Sequence, residues 1–304
     1  MKVHRGAILD EALDELGWRE ALATDPRGAV SILFELQGSA NAVSSALDDV
    51  VVSCIGVEAG SPQGVVLPCL GRTDPPGKIV GRTLTVRGLA TAGLRSRDIA
   101  LVAATSEKCV TVAAVERKAL AVRPLGGLNP TLGLLEVTGS LELAAIDRRD
   151  LSDDWARAVG LGQLAVAHEL VGAQRAMLGL ARDHAIERVQ FGRPISSFQA
   201  VRHRLADSLV AIESADAAIS AAWESRSALE ASMAKAIAGN AAWTVARHSQ
   251  QVLAGIGFTA EHAFHHFFRR ALVLDQVFGS ARALTAELGE DLLRDRRLPA
   301  MLPL

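Results

Sequence analysis

Tyrosine is absent from this 304-residue chain, and aromatic side chains make up only 4% of it. Proteins that stack bases of single-stranded nucleic acid need aromatic faces, so that class is disfavoured. A basic surplus is lacking too. Against 32 Lys and Arg stand 34 Asp and Glu, a net charge of -2, which is no match for a phosphate backbone. Cysteine is scarce: Cys54, Cys69 and Cys109 form no CxxC pair and no even-numbered framework. They exclude a disulfide scaffold and read as buried thiols in a reducing compartment. No apolar run approaches the roughly eighteen residues of a membrane span, and no basic start leads into an apolar leader. The expected location is therefore the cytoplasm, with no membrane partner. No GxSxG occurs, which disfavours an elbow-type serine hydrolase.

What is present is an ordinary globular composition, 49% hydrophobic, divided into three rhythms. Residues 1–50 form a helical segment in which Leu13, Leu16, Ile32, Leu33, Leu36, Val43 and Leu47 recur at three- and four-residue steps, broken near Asp25-Pro26-Arg27-Gly28. Two or three helices of this length cannot bury both faces alone and must lean on something else. Residues 51–150 change to short runs rich in Val, Ile, Leu and Thr: Val65 to Leu67, Lys78 to Val86, Ile99 to Ala103, Val110 to Val115, Ala119 to Val122 and Leu134 to Val137, ending near Asp147. Turn signals separate them, so a small antiparallel β-sandwich or barrel is expected.

Residues 151–304 are helical. Asp153 or Asp154 caps a long helix running to about Arg188, which stops at Phe191-Gly192-Arg193-Pro194. A second helix starts at Ser196 or Ser197, a third spans about Ala228 to Ala254, a short one carries Glu261 to Arg270, and a last one follows Gly279. This is a C-terminal four-helix-type bundle, and the whole chain is of α+β class.

Three motifs fail on context. Gly160-Leu-Gly162-Gln-Leu-Ala165 fits GxGxxA, but no strand precedes it. His168-Glu169 opens like HExxH, yet Gly172 stands where the second His belongs. His262, His265 and His266 share a helix face without further ligands at recognisable spacing, so no metal is expected.

The segment from Ile186 to Ile195 is more informative. Arg188 offers a rigid fork suited to a pyrophosphate. Gln190 adds a donor and an acceptor, and Phe191 a flat ring. Phe198-Gln199 follows at the start of the next helix. Gln251-Val252 then leads into Gly255-Ile-Gly257, where glycine permits a ligand's close approach.

In this order and at this spacing, the three signatures resemble the C-terminal domain of the acyl-CoA dehydrogenase family. Its Arg-x-Gln/Thr-Phe-Gly run matches Arg188, Gln190, Phe191 and Gly192. Its His/Phe-Gln pair matches Phe198 and Gln199. Its Gln-x-x-Gly-Gly-x-Gly run matches Gln251, Gly255 and Gly257, with Ala254 in place of the first glycine. Lys78 to Ala103 looks like the family's central β-domain, and Leu13-Asp-Glu-Leu-Gly17-Trp18 like the middle of its N-terminal helical domain, here about half missing. The resemblance implies FAD, held across a dimer: Arg188, Gln190, Phe191, Phe198, Gln199, Gln251, Val252 and Gly255 would grip the diphosphate and adenosine end of the neighbouring subunit's cofactor. The family's reaction is α,β-dehydrogenation of an acyl-CoA thioester, in which a carboxylate takes the α-proton.

Departures from the family bear on what this chain does. The usual base aligns with Phe278, and the family's alternative base falls near Gly162-Gln163, so no catalytic residue is assigned. Gly71-Arg-Thr-Asp74 and Leu84-Thr-Val-Arg87 stand where the flavin-ring segments belong but lack their chemistry. The pattern resembles the shortened, base-less subunit of heteromeric dehydrogenases acting on steroid-derived CoA thioesters. It implies an α2β2 heterotetramer with a full-length catalytic subunit that holds the acyl-CoA. Two alternatives stand beside it: a self-sufficient homo-oligomeric dehydrogenase with a displaced base such as Asp275 or Glu169, and a flavin-free structural protein on the same scaffold.

Overall fold

The computed structural model describes residues 6–55, 63–107, 109–144 and 149–296. Its first stretch forms α1 (Ala7–Glu15), α2 (Trp18–Thr24), α3 (Pro26–Ser39) and α4 (Ala46–Val52), more and shorter helices than expected. Gly17, left-handed at φ 74°, parts α1 from α2. Asp25-Pro26 is a helix start, not a loop: the Asp25 carboxylate accepts from the Gly28 N–H at 3.0 Å, and Pro26 takes a position needing no N–H. Trp18, Leu22, Val30, Phe34, Ala46 and Val50 close one cluster with Ala165 of a later helix, so this stretch does lean on another element.

Seven strands make one sheet: β1 (Gly64–Val66), β2 (Gly77–Val80), β3 (Thr83–Ala90), β4 (Ile99–Ser106), β5 (Cys109–Glu116), β6 (Ala121–Pro124) and β7 (Leu135–Glu142). The run Lys78 to Val86 is not one strand but the β2–β3 hairpin, which folds at Gly81 (φ 61°) with Val80 opposite Thr83. Most pairs are antiparallel, as expected. The exception is β4, whose one edge runs parallel to β1 at Ala100–Val102 and to β2 at Ala104–Ser106. Alternation reveals which face a residue takes but not the direction of its partner strand. Strand β4 is buried on both sides. Ala100, Val102 and Ala104 meet Leu84, Val86, Leu135 and Val137 in the core of the β-domain, while Leu101 and Ala103 face the helices. The expected end of this region near Asp147 lies outside the described residues. Of the cysteines, Cys54 is buried as expected, but Cys69 and Cys109 are only half-buried.

The helical remainder comprises α5 (Ser152–Glu187), the two-residue strands β8 (Val189–Gln190) and β9 (Arg193–Pro194), α6 (Gln199–Ser225), α7 (Ala228–Leu253), α8 (Phe264–Gln276) and α9 (Ala281–Asp295). Asp153 and Asp154 lie in the first turn of α5, where the helix dipole favours them, and Leu151 holds the cap position. Helix α8 begins later and runs longer than expected. Among the described residues no helix is long and apolar enough to cross a membrane.

Small residues let the helices approach closely. Helix α7 buries Ala231, Ala234, Ala238, Ala241, Ala242 and Ala246. Where α3 crosses α5 the two backbones touch through reciprocal glycines. A Cβ on Gly38 would stand 2.1 Å from the Glu169 carbonyl oxygen, and one on Gly172 would stand 2.1 Å from that of Glu35.

Beside that crossing lies a buried polar knot. Glu169 accepts from Arg270 Nε at 2.9 Å and from Gln37 Nε2 at 2.9 Å. Arg270 also donates to Asn41 Oδ1 at 3.1 Å and to the Ala42 carbonyl. Gly172→Ala forces these backbones apart and is expected to destabilise the fold by about 1–3 kcal/mol, the usual cost of overpacking. Chemical denaturation would read the loss, and an unchanged midpoint would contradict the crossing geometry.

Candidate functional site

Helix α5 ends at Glu187, so Arg188 is its first non-helical residue. The Phe191-Gly192 pair is not the helix stop anticipated from the sequence. It is the tip of a β8–β9 hairpin, in which Val189 faces Pro194 and Gln190 faces Arg193. Both tip residues have positive φ, 53° and 77°, which suits a two-residue hairpin turn. The Ile195 N–H closes it on the Arg188 carbonyl at 2.8 Å. Phe191 stands 91% exposed at the tip. Its ring meets Phe198 edge-on at 6.1 Å, while the Arg193 guanidinium covers a face of Phe198 at 4.4 Å. Phe198 therefore anchors the hairpin through apolar and cation–π contacts.

The second half of the site comes from the far end of α7. A tight turn over Ala254–Phe258 follows Leu253. Gly257 is needed for packing, since its Cβ would meet Gln250 Nε2 at 2.5 Å and Leu253 Cβ at 2.9 Å. Gly255 is different: a Cβ there would meet nothing of this chain within 4 Å, so the space above it is open.

Hairpin and turn, some sixty positions apart in sequence, face each other across a groove of about 780 Å3. Seven of the eight expected residues line it: Arg188, Gln190, Phe191, Phe198, Gln251, Val252 and Gly255. Gln199 does not. The α6 face toward the groove carries Ala200, Val201 and Arg204, and residue 199 falls about 100° round the helix from Ala200. His184 and Arg204 also line the groove, and the sequence reading missed both. The i, i+4 spacing of His184 and Arg188 was a usable signal. Nothing local marked Arg204. No Asp or Glu lines the groove. Among the described residues the side chains of Arg188 and Arg204 have no hydrogen-bond or ion-pair partner. An apolar floor, two unpartnered guanidiniums, amides and an open glycine suit the diphosphate and adenosine portion of FAD in charge and shape.

Comparison with known proteins bears on the same residues. Positions 156–293 match the acyl-CoA dehydrogenase C-terminal domain. That match takes in 138 of the 304 residues. The chain as a whole has the acyl-CoA dehydrogenase fold. The ChsE4-ChsE5 complex from Mycobacterium tuberculosis superposes on 99% of this chain and 91% of the matched one at TM-score 0.79, with 22% identity. The Tcur3481-Tcur3483 steroid ACAD superposes on 93% of this chain and 88% of that one at TM-score 0.76, also with 22% identity. In sequence, the acyl-CoA dehydrogenase IpdE2 of M. tuberculosis is 39% identical over 123 residues, which are 40% of this chain and 39% of that protein. The sequence match thus spans well under half of either protein.

The positions aligned with the family's two bases lie against each other in the core. Phe278, 1% exposed, packs on Gly162, whose Cβ would stand 2.6 Å from the ring. Gln163 Nε2 donates to the Phe278 carbonyl at 3.2 Å. The fully buried Lys235 amine, its pKa pushed down to about 8 by desolvation, donates to the carbonyls of Asp275 and Gly279 at 2.9 and 3.1 Å. The two spare acids are engaged as well. Asp275 accepts from the Ala281 N–H at 3.0 Å, and Glu169 belongs to the Arg270 knot.

The discarded motifs have structural explanations. The GxGxxA stretch is the interior of α5. His168 is buried and accepts from Trp223 Nε1 at 3.0 Å, with its pKa pushed down to about 4 by desolvation, so it is neutral near pH 7. Among the described residues no group of three or more His, Cys, Asp or Glu is placed to hold a metal. Gly71-to-Asp74 and Leu84-to-Arg87 serve structure. The Arg72–Asp74 pair is exposed, the Gly71 N–H donates to the Gln276 carbonyl at 2.7 Å, and Leu84 and Val86 lie in the core of the β-domain.

Ala254, which replaces the family's first glycine, sits at φ 52° and ψ -134°, a region only glycine enters freely. That strain costs about 1–3 kcal/mol, more than the extra chain entropy of a glycine, about 0.5–1 kcal/mol. Ala254→Gly is accordingly expected to raise stability by about 1 kcal/mol in denaturant titration. A loss of stability would contradict this backbone assignment.

Proposed function

We propose that this chain is the non-catalytic subunit of a heteromeric, FAD-dependent acyl-CoA dehydrogenase. In this reading it forms an α2β2 heterotetramer with a full-length catalytic subunit, which carries the acyl-CoA. This chain's groove takes the diphosphate and adenosine end of an FAD whose ring lies in the partner. The observation that carries the proposal is the contrast between the chain's two halves of a dehydrogenase site. Arg188 and Arg204 line an open groove, and among the described residues neither guanidinium is paired with its own chain. The position of the base is a phenyl ring sealed in the core.

The division of labour follows from that contrast. Arg188 supplies a fixed charge for a phosphate, Gln190 and Gln251 supply amides, and Gly255 leaves room for a close approach. Bound FAD would supply the acceptance of hydride. In this chain Phe278 cannot take a proton, and Glu169 and Asp275 are occupied in holding α8 and α9. The solved structures of similar fold include a two-component complex and a steroid dehydrogenase. They support a heteromeric assembly and a bulky, steroid-derived acyl group for this chain.

Co-expression with full-length acyl-CoA dehydrogenases, read by flavin absorbance and subunit stoichiometry, tests the proposal. A yellow two-component complex is expected, and yellow, active protein from this chain alone would sink it. Within the complex, Arg188→Ala is expected to weaken FAD retention by about 1.5–3 kcal/mol, the worth of a charge-assisted contact. Unchanged flavin occupancy would argue against the role given to Arg188. Phe278→Glu is expected to create no activity and to destabilise the chain by several kcal/mol, because it buries a carboxylate without a partner. Dehydrogenase activity gained by that variant would mean the pocket is intact.

A further inference from the structure

Two groove side chains fall outside the family signature. His184 lies one helical turn before Arg188 on α5, so the two share a face. Arg204 reaches the same groove from a different helix, α6. The charged and titratable groups around His184 are Arg188 and Glu187 from its own helix, His262 ahead of α8, and Arg204 across the groove. Helix α7 contributes the uncharged Gln251 and Val252. Among the described residues no carboxylate joins the lining, so its charged side chains are all basic.

We infer that Arg204 and His184 complete a three-point anion grip with Arg188, in which His184 takes up a proton from solvent as a diphosphate binds. The inference rests on the nucleotide reading above and names the residues that would set its strength and pH dependence. Two guanidiniums facing one groove repel each other until an anion lies between them, and a diphosphate carries enough charge to engage both. A fork on each wall also fixes the phosphates in position, which a single Arg188 does not.

In the free chain His184 is held below its ordinary pKa, first by burial and then by His262 and Arg188, so its neutral form prevails near pH 7. A bound diphosphate reverses the balance by favouring the imidazolium. The bound state then holds more protons than the free state. Affinity gained through His184 must therefore grow as pH falls and fade as pH rises.

The test is calorimetric titration of the full chain with ADP as the probe, at pH 6 and pH 8, alongside Arg188→Ala, Arg204→Ala and His184→Gln. Arg204→Gln serves in place of the alanine variant should that one fail to fold. Arg204→Ala is expected to weaken ADP about tenfold or more, and Arg204→Lys to restore part of the loss. The ratio of wild-type to His184→Gln affinity is expected to be larger at pH 6 than at pH 8. Taking that ratio removes the titration of ADP itself, which is common to both proteins. If Arg188→Ala weakens ADP while the Arg204 and His184 variants bind like wild type, the three-point grip is overturned and the nucleotide reading survives. If Arg204 matters and the ratio stays flat, His184 takes no proton and that part is overturned. A wild-type chain that does not bind ADP overturns the grip as a preformed site.

Discussion

Glu169 carries a carboxylate in the interior of the protein, and the position of every helix around it follows from meeting that charge. An ion taken out of water is strongly unfavourable unless its partner arrives with good geometry. Here Arg270 of α8 meets it, and the Arg270 guanidinium spends its remaining donors on Asn41 and Ala42 beyond the end of α3. Helix α8 can therefore settle on α5 and α3 in one register only. The loop after α8 is then fixed by Lys235 and Asp275, and Phe278 is carried into the core against Gly162. Glu169, one of the two acids weighed as a displaced base, is thereby consumed by the fold.

The same helix that carries Glu169 delivers Arg188 at its far end. Helix α5 runs for 36 residues, a length of roughly 54 Å at the α-helical rise. One end packs under the sheet through Trp155 and Ala158, and the other reaches the surface groove. Along this rod the chain passes from a closed interior to an open groove where, among the described residues, the Arg188 guanidinium has no partner. That gradient supports a division of work between two polypeptides.

Much of this order was legible in the sequence because it is local. Helix and strand periods placed most elements within a few residues, and the motif spacing picked out Arg188, Gln190, Phe198 and Gln251, which the fold brings to one groove. The errors also have local causes. Phe191-Gly192 reads as a helix stop because glycine ends helices, and a hairpin tip with Phe at positive φ carries no usual turn signature. Lys78 to Val86 reads as one strand because both arms of the hairpin are β-rich around Gly81. Gln199 follows Phe198 in the motif but leaves the groove, because one step along α6 turns the side chain about 100°.

The sequence by itself determined the class of fold, the three rhythms, most of the residues that line the groove, and the absence of a carboxylate at position 278. All of these are properties of residue type and short-range spacing. Only the tertiary structure decided that the two halves of the groove meet, that Arg204 and His184 join them, that β4 runs parallel to β1 and β2, and that Glu169 and Asp275 are already engaged. Each depends on segments far apart in the chain, brought together by packing and by the need to pair buried charge, which local pattern does not encode.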